Sequence, residues 1–178
     1  MTPNDFVSQW NQPLQHLDPI LVLSLPIPHE AQLFLLQAGL PKQATPHLTF
    51  YSPPDLLAPL PTVLAAIDFE GDLARYRVLA DGVTFLCVDT QLQGAIASVD
   101  PYEKLPTRFV NSSIPQFAAC LLAYRRIPSA TAASTMTKTA LHYATEIVFA
   151  QIKQIDAPAL QPDCWWSVIF EELFIFTR

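Results

Sequence analysis

The sequence predicts an α+β fold in which helices pack on one face of a mostly antiparallel β-sheet, arranged as a meander. Strands expected at 74–79 and 83–88 are joined by the hairpin dipeptide Asp81-Gly82. A helix expected at 113–126 begins with a capping signal. The predicted order is an early helix, a β-meander and then further helices, which is typical of an α+β domain.

The N-terminal part of the chain combines predicted helices with short apolar segments. Residues 3–11 are expected to form a short helix, and residues 28–39 a second helix that ends at Gly39. The apolar run 19–25 is interpreted as a strand, and another short strand is expected at 48–51. A stiff, proline-rich connection then leads to the central strands.

Side-chain alternation assigns the residues of the first central strand to two faces of the sheet. Tyr76, Val78 and Ala80 are expected to share one face. Further strands, expected at 95–99 and 107–110, would extend the meander.

The C-terminal third is predicted to be mostly helical. Ser113 followed by Gln116 matches a capping box, in which each side chain satisfies a backbone N–H at the helix start. A second helix is expected at 138–154, where apolar residues recur at helical spacing. Asp163 is expected to cap a last helix that runs through Phe174.

Length and composition favour one folded domain over residues 1–178. The chain has 178 residues, of which 51% are hydrophobic and 15% are charged, so it has enough apolar residues to bury a substantial core. Such an apolar chain can also expose an apolar patch that suits a partner protein. We expect a monomer rather than an oligomer.

The charge balance disfavours nucleic-acid binding. The formal net charge is -6, and no lysine or arginine precedes Lys42, whereas phosphate contacts need clustered basic residues. An acidic protein can meet a basic partner by electrostatic attraction. Mild acidity can equally serve solubility alone.

The expected location is the cytoplasm. The three cysteines, Cys87, Cys120 and Cys164, lack the paired spacing of a disulfide framework and suit a reducing compartment. A basic secretory signal is not found at the N-terminus. The apolar run 20–27 is far shorter than the roughly 20 residues that a membrane-spanning helix needs, so no membrane association is expected.

The motifs of catalytic, metal and cofactor sites are weak in this sequence. His142 and Glu146 share a helix face but supply only half of a metal site. Cys87 lies in an apolar strand, where a thiolate is disfavoured, and Ser112 and Ser113 lack the Gly-x-Ser-x-Gly pattern of a nucleophile elbow. With four glycines and no phosphate loop, the chain is predicted to be no enzyme and to bind no metal or cofactor.

Acidic residues around the central strands are the main candidates for contact with a partner. In the segment 67–72 they alternate with apolar residues, which suits a solvated loop, a surface that mimics phosphates toward a basic partner, or a cation or acid–base site. The acidic candidates are Asp68, Glu70, Asp72, Asp81, Asp89, Asp100 and Glu103.

Trp165 and Trp166 are adjacent and would point about 100° apart on a helix. A broad helix face would bury both indoles. Alternatively, one indole lies in the core and the other is an interface residue, because tryptophan is enriched at interfaces. Trp166 is taken as the candidate contact.

Several segments together resemble a known family. They are Gln37-Ala-Gly-Leu-Pro41, the hairpin from Tyr76 to Asp89 followed by Gly94-Ala-Ile-Ala, Phe109-Val-Asn-Ser-Ser-Ile-Pro-Gln-Phe117, and Asp156-Ala-Pro-Ala-Leu160 with Trp165-Trp166 and Glu171-Glu-Leu173. In this order and spacing, the chain resembles the SUKH superfamily of bacterial immunity proteins and is most similar to its fourth subfamily. The resemblance implies an α+β fold with a mostly antiparallel sheet and a protein that neutralises a toxin domain, often a nuclease or nucleic-acid deaminase. It implies no catalytic residues.

The expected function is therefore stoichiometric inhibition of a cognate polymorphic toxin by protein–protein contact. The alternative is a non-catalytic regulatory adaptor of the same fold whose partner is not a toxin. A third possibility is a small enzyme that uses scattered carboxylates, which would require a pocket where they converge.

Overall fold

A computed structural model describes residues 1–45, 48–64, 72–102, 104–128 and 136–177. The helices are α1 (Pro3–Trp10), α2 (Pro19–Ser24), α3 (His29–Gln37), α4 (Leu60–Val63), α5 (Ile114–Tyr124), α6 (Lys138–Ile155) and α7 (Trp165–Thr177), with 3-10 turns at Leu73–Arg75 and Ala157–Leu160. The strands are β1 (Leu14–Gln15), β2 (Leu40–Pro41), β3 (Gln43–Ala44), β4 (Leu48–Phe50), β5 (Tyr76–Asp81), β6 (Phe85–Asp89), β7 (Ala95–Val99) and β8 (Arg108–Asn111). Across the described ranges, no helix has the length and apolar character needed to cross a membrane.

The strands β3 to β8 form one six-stranded sheet in which each strand pairs antiparallel with the next along the chain. The predicted α+β class and the predicted meander are thus confirmed. β5 and β6 begin two residues later than expected, and residues 82–84 connect them. The hairpin loop is therefore one residue longer than the predicted dipeptide.

The long helices pack on one face of the sheet, as predicted. The core on this face joins side chains from α1, α3, α5, α6 and α7 to strand residues such as Leu86, Val88 and Ile96. The opposite face carries a smaller buried cluster, covered in part by α4: Leu60, Tyr76, Val78, Cys87, Ala97 and Val99. Alternation along β6 explains the division, because Cys87 points away from its two neighbours.

A β-bulge in β5 overturns the predicted orientation of Ala80. Val78 pairs with Cys87 and Ala80 pairs with Leu86, so two steps along β5 match one step along β6. The extra residue reverses the alternation of the side chains beyond it. Ala80 therefore joins Leu79 in the helix-covered core and does not share the face of Val78.

The strand expected at 19–25 is wrong, because α2 occupies this stretch. The Asp18 carboxylate accepts a hydrogen bond from the Ile20 N–H at 2.8 Å, and Pro19 takes the first helical position. Both residues favour a helix start at these positions. Val22 is buried whereas Ile20 is 81% exposed, so the apolar run covers more than one side of a short helix.

The predicted start of α5 is confirmed, but only half of the predicted capping box forms. The Gln116 side chain accepts from Ser113 Oγ and donates to the Ile155 carbonyl oxygen instead of accepting from a backbone N–H. The Gln116 N–H donates to Ser113 Oγ at 3.4 Å, and Pro115 lies in the first turn. The next predicted helix is also confirmed, as α6, and its N-cap is Thr137.

The last helix differs from the prediction at both ends. It begins at Trp165, and Asp163 does not cap it: this residue has a φ of 66°, and its side chain is 97% exposed. The helix extends beyond Phe174 to Thr177, whose hydroxyl lies 3.0 Å from Nδ1 of His142. This contact with α6 stabilises the final turn.

Candidate partner-binding surface

A buried polar network connects β8, the 3-10 turn before α7 and α7 itself. Asp156 is 2% exposed, and its carboxylate accepts hydrogen bonds from Asn111 Nδ2 (2.8 Å), the Ser112 N–H (2.7 Å) and Ser112 Oγ (2.7 Å). Trp166 Nε1 donates to Asn111 Oδ1 at 2.9 Å. Segments that are far apart in the sequence therefore meet at one site in which Asn111, Asp156 and Trp166 are buried and Ser112 is exposed, and each polar group has a structural task.

This network also places the tryptophan pair. Trp166 is 0% exposed and packs against Tyr124 with ring centroids 5.3 Å apart, so in this structure it is a core residue and we leave it out of the proposed contact surface. Its neighbour Trp165 is only partly buried. Of the two indoles, Trp165 is the one that a partner can reach.

Strand register divides the acidic candidates between the two ends of the sheet. Asp81 ends β5, and Asp100 directly follows β7, whose last residue pairs with Phe85 at the start of β6. Asp89 ends β6 and pairs with Tyr76 at the start of β5. Because these strands are antiparallel, Asp81 and Asp100 lie at one end of the sheet and Asp89 lies at the other.

Asp89 is 1% exposed, and its carboxylate is occupied within the protein. Arg75 Nη2 donates to it at 2.5 Å, and the N–H groups of Gln91 and Leu92 donate to its other oxygen at 2.9 and 3.2 Å. Asp72 is exposed beside it and accepts a hydrogen bond from the Gln91 side chain. Asp89 therefore orders the turn after β6, and we leave it out of the proposed contact surface.

The remaining acidic candidates fall into two groups. Asp81 is exposed, whereas the half-buried Asp100 accepts hydrogen bonds from the N–H groups of Tyr102 and Leu105 at 2.9 and 3.0 Å. The other candidates lie outside the described residues: Asp68, Glu70 and Glu103.

An open groove with a volume of about 570 Å³ lies at the Asp81 end of the sheet. Its walls are the hairpin loop 82–84, the segment 105–108 and α7. We call it the hairpin groove. Its lining is mainly apolar and includes Val83, Leu86, Leu105, Trp165, Leu173 and Phe176.

The hairpin groove exposes several of its apolar side chains to solvent. Val83 is 93% exposed, Phe176 is 75% exposed and Leu105 is 43% exposed. Burial, with a smaller contribution from the Glu172 carboxylate, raises the pKa of the Tyr124 phenol in the groove to about 12. At neutral pH this phenol is uncharged and able to donate or accept a hydrogen bond.

Comparison with protein families decides the relationship. The model of the family described as SUKH-4 immunity protein matches residues 3–172, from α1 through the whole sheet and into α7. The chain belongs to the SUKH-4 immunity protein family. Comparison with curated proteins and with solved structures found no match.

Membership of the SUKH-4 family supports a role as an immunity protein and implies, in general, a toxin protein as partner. It also favours a non-enzymatic role. The family match includes the segments on which the sequence resemblance rests, up to Glu172. The buried network gives a physical reason for Asn111, Ser112, Asp156 and Trp166 in two of these segments.

The hairpin groove of this SUKH-4 protein was missed at the level of sequence. One signal pointed to it: α7 is apolar around its circumference apart from Glu171, Glu172 and small polar residues. A helix of this kind is usually buried on all sides. Here Ile175 and Phe176 stay 70% and 75% exposed, which leaves an apolar surface beside the hairpin.

The weak metal and catalytic motifs do not come together into a site within the described ranges. His142 Nε2 lies 3.5 Å from Glu146 Oε1, and its Nδ1 faces Thr177. The described residues contain no group of three or more His, Cys, Asp or Glu side chains that could hold a metal ion. Ser113 is occupied as the cap of α5.

Cys87 and Cys120 are expected to resist alkylation in the native protein. Burial raises the pKa of Cys87 and Cys164, and raises that of Cys120 to about 12, so at pH 8 the thiolate forms that would react are scarce. Iodoacetamide at pH 8, followed by mass spectrometry, should label all three in urea and leave Cys87 and Cys120 unlabelled in the native state. Rapid native labelling of Cys87 would contradict its burial and would support a nucleophilic role.

Proposed function

We propose that this protein is an immunity protein that binds a cognate polymorphic toxin domain, a nuclease or nucleic-acid deaminase, and blocks it stoichiometrically. The observation that carries the proposal is the match of residues 3–172 to a family described as immunity proteins. In this proposal residues 1–178 form a single domain that works as a monomer in the cytoplasm.

Charge supports this choice of partner. The protein has a formal net charge of -6, whereas a domain that acts on nucleic acid needs basic groups to hold the phosphates. Opposite charges accelerate the encounter of two proteins and help to orient them. An acidic inhibitor that docks over a basic substrate groove competes directly with the nucleic acid.

The rigidity of the described structure suits inhibition by a preformed surface. The buried Asn111–Asp156–Trp166 network holds α7 against β8, and the core on the helix-covered face runs from Phe6 to Phe170. A surface that is already ordered loses less conformational entropy on binding, which favours tight association.

The proposal is tested by titration of the toxin domain that is encoded beside the gene for this protein. The purified protein is added to this domain while its nuclease or deaminase activity is followed. We expect inhibition to rise linearly and to be complete at a 1:1 molar ratio, with a complex of that composition in light scattering. An unrelated toxin domain with the same activity is the control and should stay active.

Two outcomes would overturn the proposal. Failure to bind the neighbouring toxin domain would remove the toxin as partner, and recovery of a non-toxin regulator from the native cells would favour an adaptor. Full inhibition at far less than one equivalent would indicate turnover and therefore an enzyme.

A further inference from the structure

The hairpin groove is built from parts of the chain that are distant in sequence and firmly held. The Asp100 carboxylate holds the backbone of the segment that leads to Leu105, through hydrogen bonds of 2.9 and 3.0 Å. Arg108 Nη1 donates to the Asp163 carbonyl oxygen at 2.7 Å, which ties the 105–108 segment to the start of α7. The groove is therefore present before any partner binds.

Within the described structure, apolar side chains at the mouth of the groove are not shielded from solvent by other residues. Val83 in the hairpin loop and Phe176 in α7 are 93% and 75% exposed. Exposed apolar side chains that surround a concave surface are typical of protein–protein contact sites. The volume of about 570 Å³ is enough for a few side chains of a partner and falls within the range of about 300–1,000 Å³ known for binding pockets.

The described charges around the groove are mainly negative. Glu172 lines it, Glu171 and Asp81 are neighbours of lining residues, and Asp100 and Asp163 bond to the segment that forms one wall. The described basic groups there are Arg108, which lines the groove together with Glu172, and Lys104, which precedes Leu105. Arg108 is already paired with Asp163, with 4.0 Å between Nη1 and Oδ1.

We infer that the hairpin groove binds an apolar segment of the toxin domain that is flanked by lysine or arginine. The apolar side chains of that segment enter between Val83 and Phe176, and its basic residues face Glu172 and Asp81. This inference rests on the proposed function for the identity of the partner. The groove's preference for a cationic apolar segment is testable without the toxin.

The first test uses two synthetic amphipathic helical peptides with identical leucine and phenylalanine positions, flanked in one by lysine and in the other by glutamate. We expect the lysine peptide to bind at least about tenfold more tightly, with NMR amide shifts centred on Val83, Leu105 and Phe176. Equal binding of both peptides, shifts centred elsewhere, or binding of neither would overturn the inference.

Matched variants locate the contact. Val83→Ser and Phe176→Ser each remove an exposed apolar side chain, and each is expected to weaken binding of the lysine peptide by about tenfold. Ile20→Ser is the control, because Ile20 is also 81% exposed but belongs to α2. Glu172→Gln should weaken binding of the lysine peptide and reduce the salt dependence of that binding. Glu30→Gln is the matched control, because it makes the same change of net charge on α3, and its effect should be smaller.

The same variants with the toxin domain distinguish failure of the inference from failure of the proposed function. If the toxin domain binds wild type, Val83→Ser and Phe176→Ser equally, the groove inference is overturned and the immunity function stands. If the groove selects the lysine peptide but the toxin domain does not bind, the groove stands and its assignment to a toxin falls. A third outcome is that the wild-type protein associates with itself and that Phe176→Ser abolishes this association. The groove would then belong to a contact with a second copy of the chain, and the inference would be overturned.

Discussion

Replacement of Gly39 by alanine is expected to lower the free energy of unfolding by more than about 3 kcal/mol. Gly39 follows α3 with a φ of +73°, a conformation that costs a residue with a Cβ roughly 1–2 kcal/mol. A Cβ here would also lie 2.2 Å from the carbonyl oxygen of Gln15. Since this oxygen belongs to the backbone of β1, relief of the clash requires separation of β1 from β2.

Gly82→Ala is the matched control for Gly39→Ala. The nearest heavy atom to a Cβ at Gly82 is 3.7 Å away, and its φ lies outside the left-handed region. We expect a change within about 0.5 kcal/mol for this exposed loop position. Urea unfolding followed by tryptophan fluorescence measures both variants, and equal midpoints would show that the close approach of Gly39 to Gln15 does not contribute to stability.

Asp156→Ala is expected to cost about 2–3 kcal/mol, because it leaves the buried Asn111 amide and the part-buried Ser112 N–H without their acceptor. The side chain of Asn111 and the N–H of Ser112 both donate to Asp156 Oδ2, and Asn111 is 0% exposed. Each unsatisfied buried donor costs roughly 1–3 kcal/mol. The loss should also loosen α7, since Asn111 is the acceptor for the Trp166 indole.

A graded series separates the hydrogen bonds from the general effect of shortening an aspartate. Asp156→Asn keeps one oxygen for Asn111 and Ser112 N–H, and the Ser112 hydroxyl can reverse its bond to accept from the new amide. We expect a cost of about 1–2 kcal/mol for this variant and less than about 0.5 kcal/mol for the exposed Asp81→Ala. Equal losses for Asp156→Ala and Asp81→Ala in urea unfolding would contradict the role given to the network.

The stability variants and the groove variants address different parts of the molecule. Gly39 is in the scaffold, where substitution is expected to reduce binding only through loss of folded protein, whereas Asp156→Ala should also affect the groove because it loosens α7. Val83 and Phe176 are exposed, so their substitution is expected to change binding while the unfolding midpoint stays the same. Comparison of the two sets separates a damaged fold from a damaged contact surface.

The sequence alone determined the elements whose signals are local. Ser113 with Gln116 marks the start of α5, and Gly39 follows the end of α3, because capping and left-handed geometry depend on a few neighbouring residues. The meander was also predictable, since short strands joined by short connections pair with their neighbours. The family relationship was recognisable from several short segments, and two of them supply the residues of the buried network.

Only the tertiary structure decided where side chains point and which of them are accessible. A bulge of one residue moved Ala80 to the other face, and burial removed Asp89 and Trp166 from the candidate contacts. The helix at 19–24, by contrast, has a local cause that the strand interpretation overlooked, because Asp18 and Pro19 favour a helix start there. The hairpin groove exists because the hairpin loop, the 105–108 segment and α7 meet in space. Burial, register and concavity depend on contacts between distant residues, and a single sequence does not display those contacts.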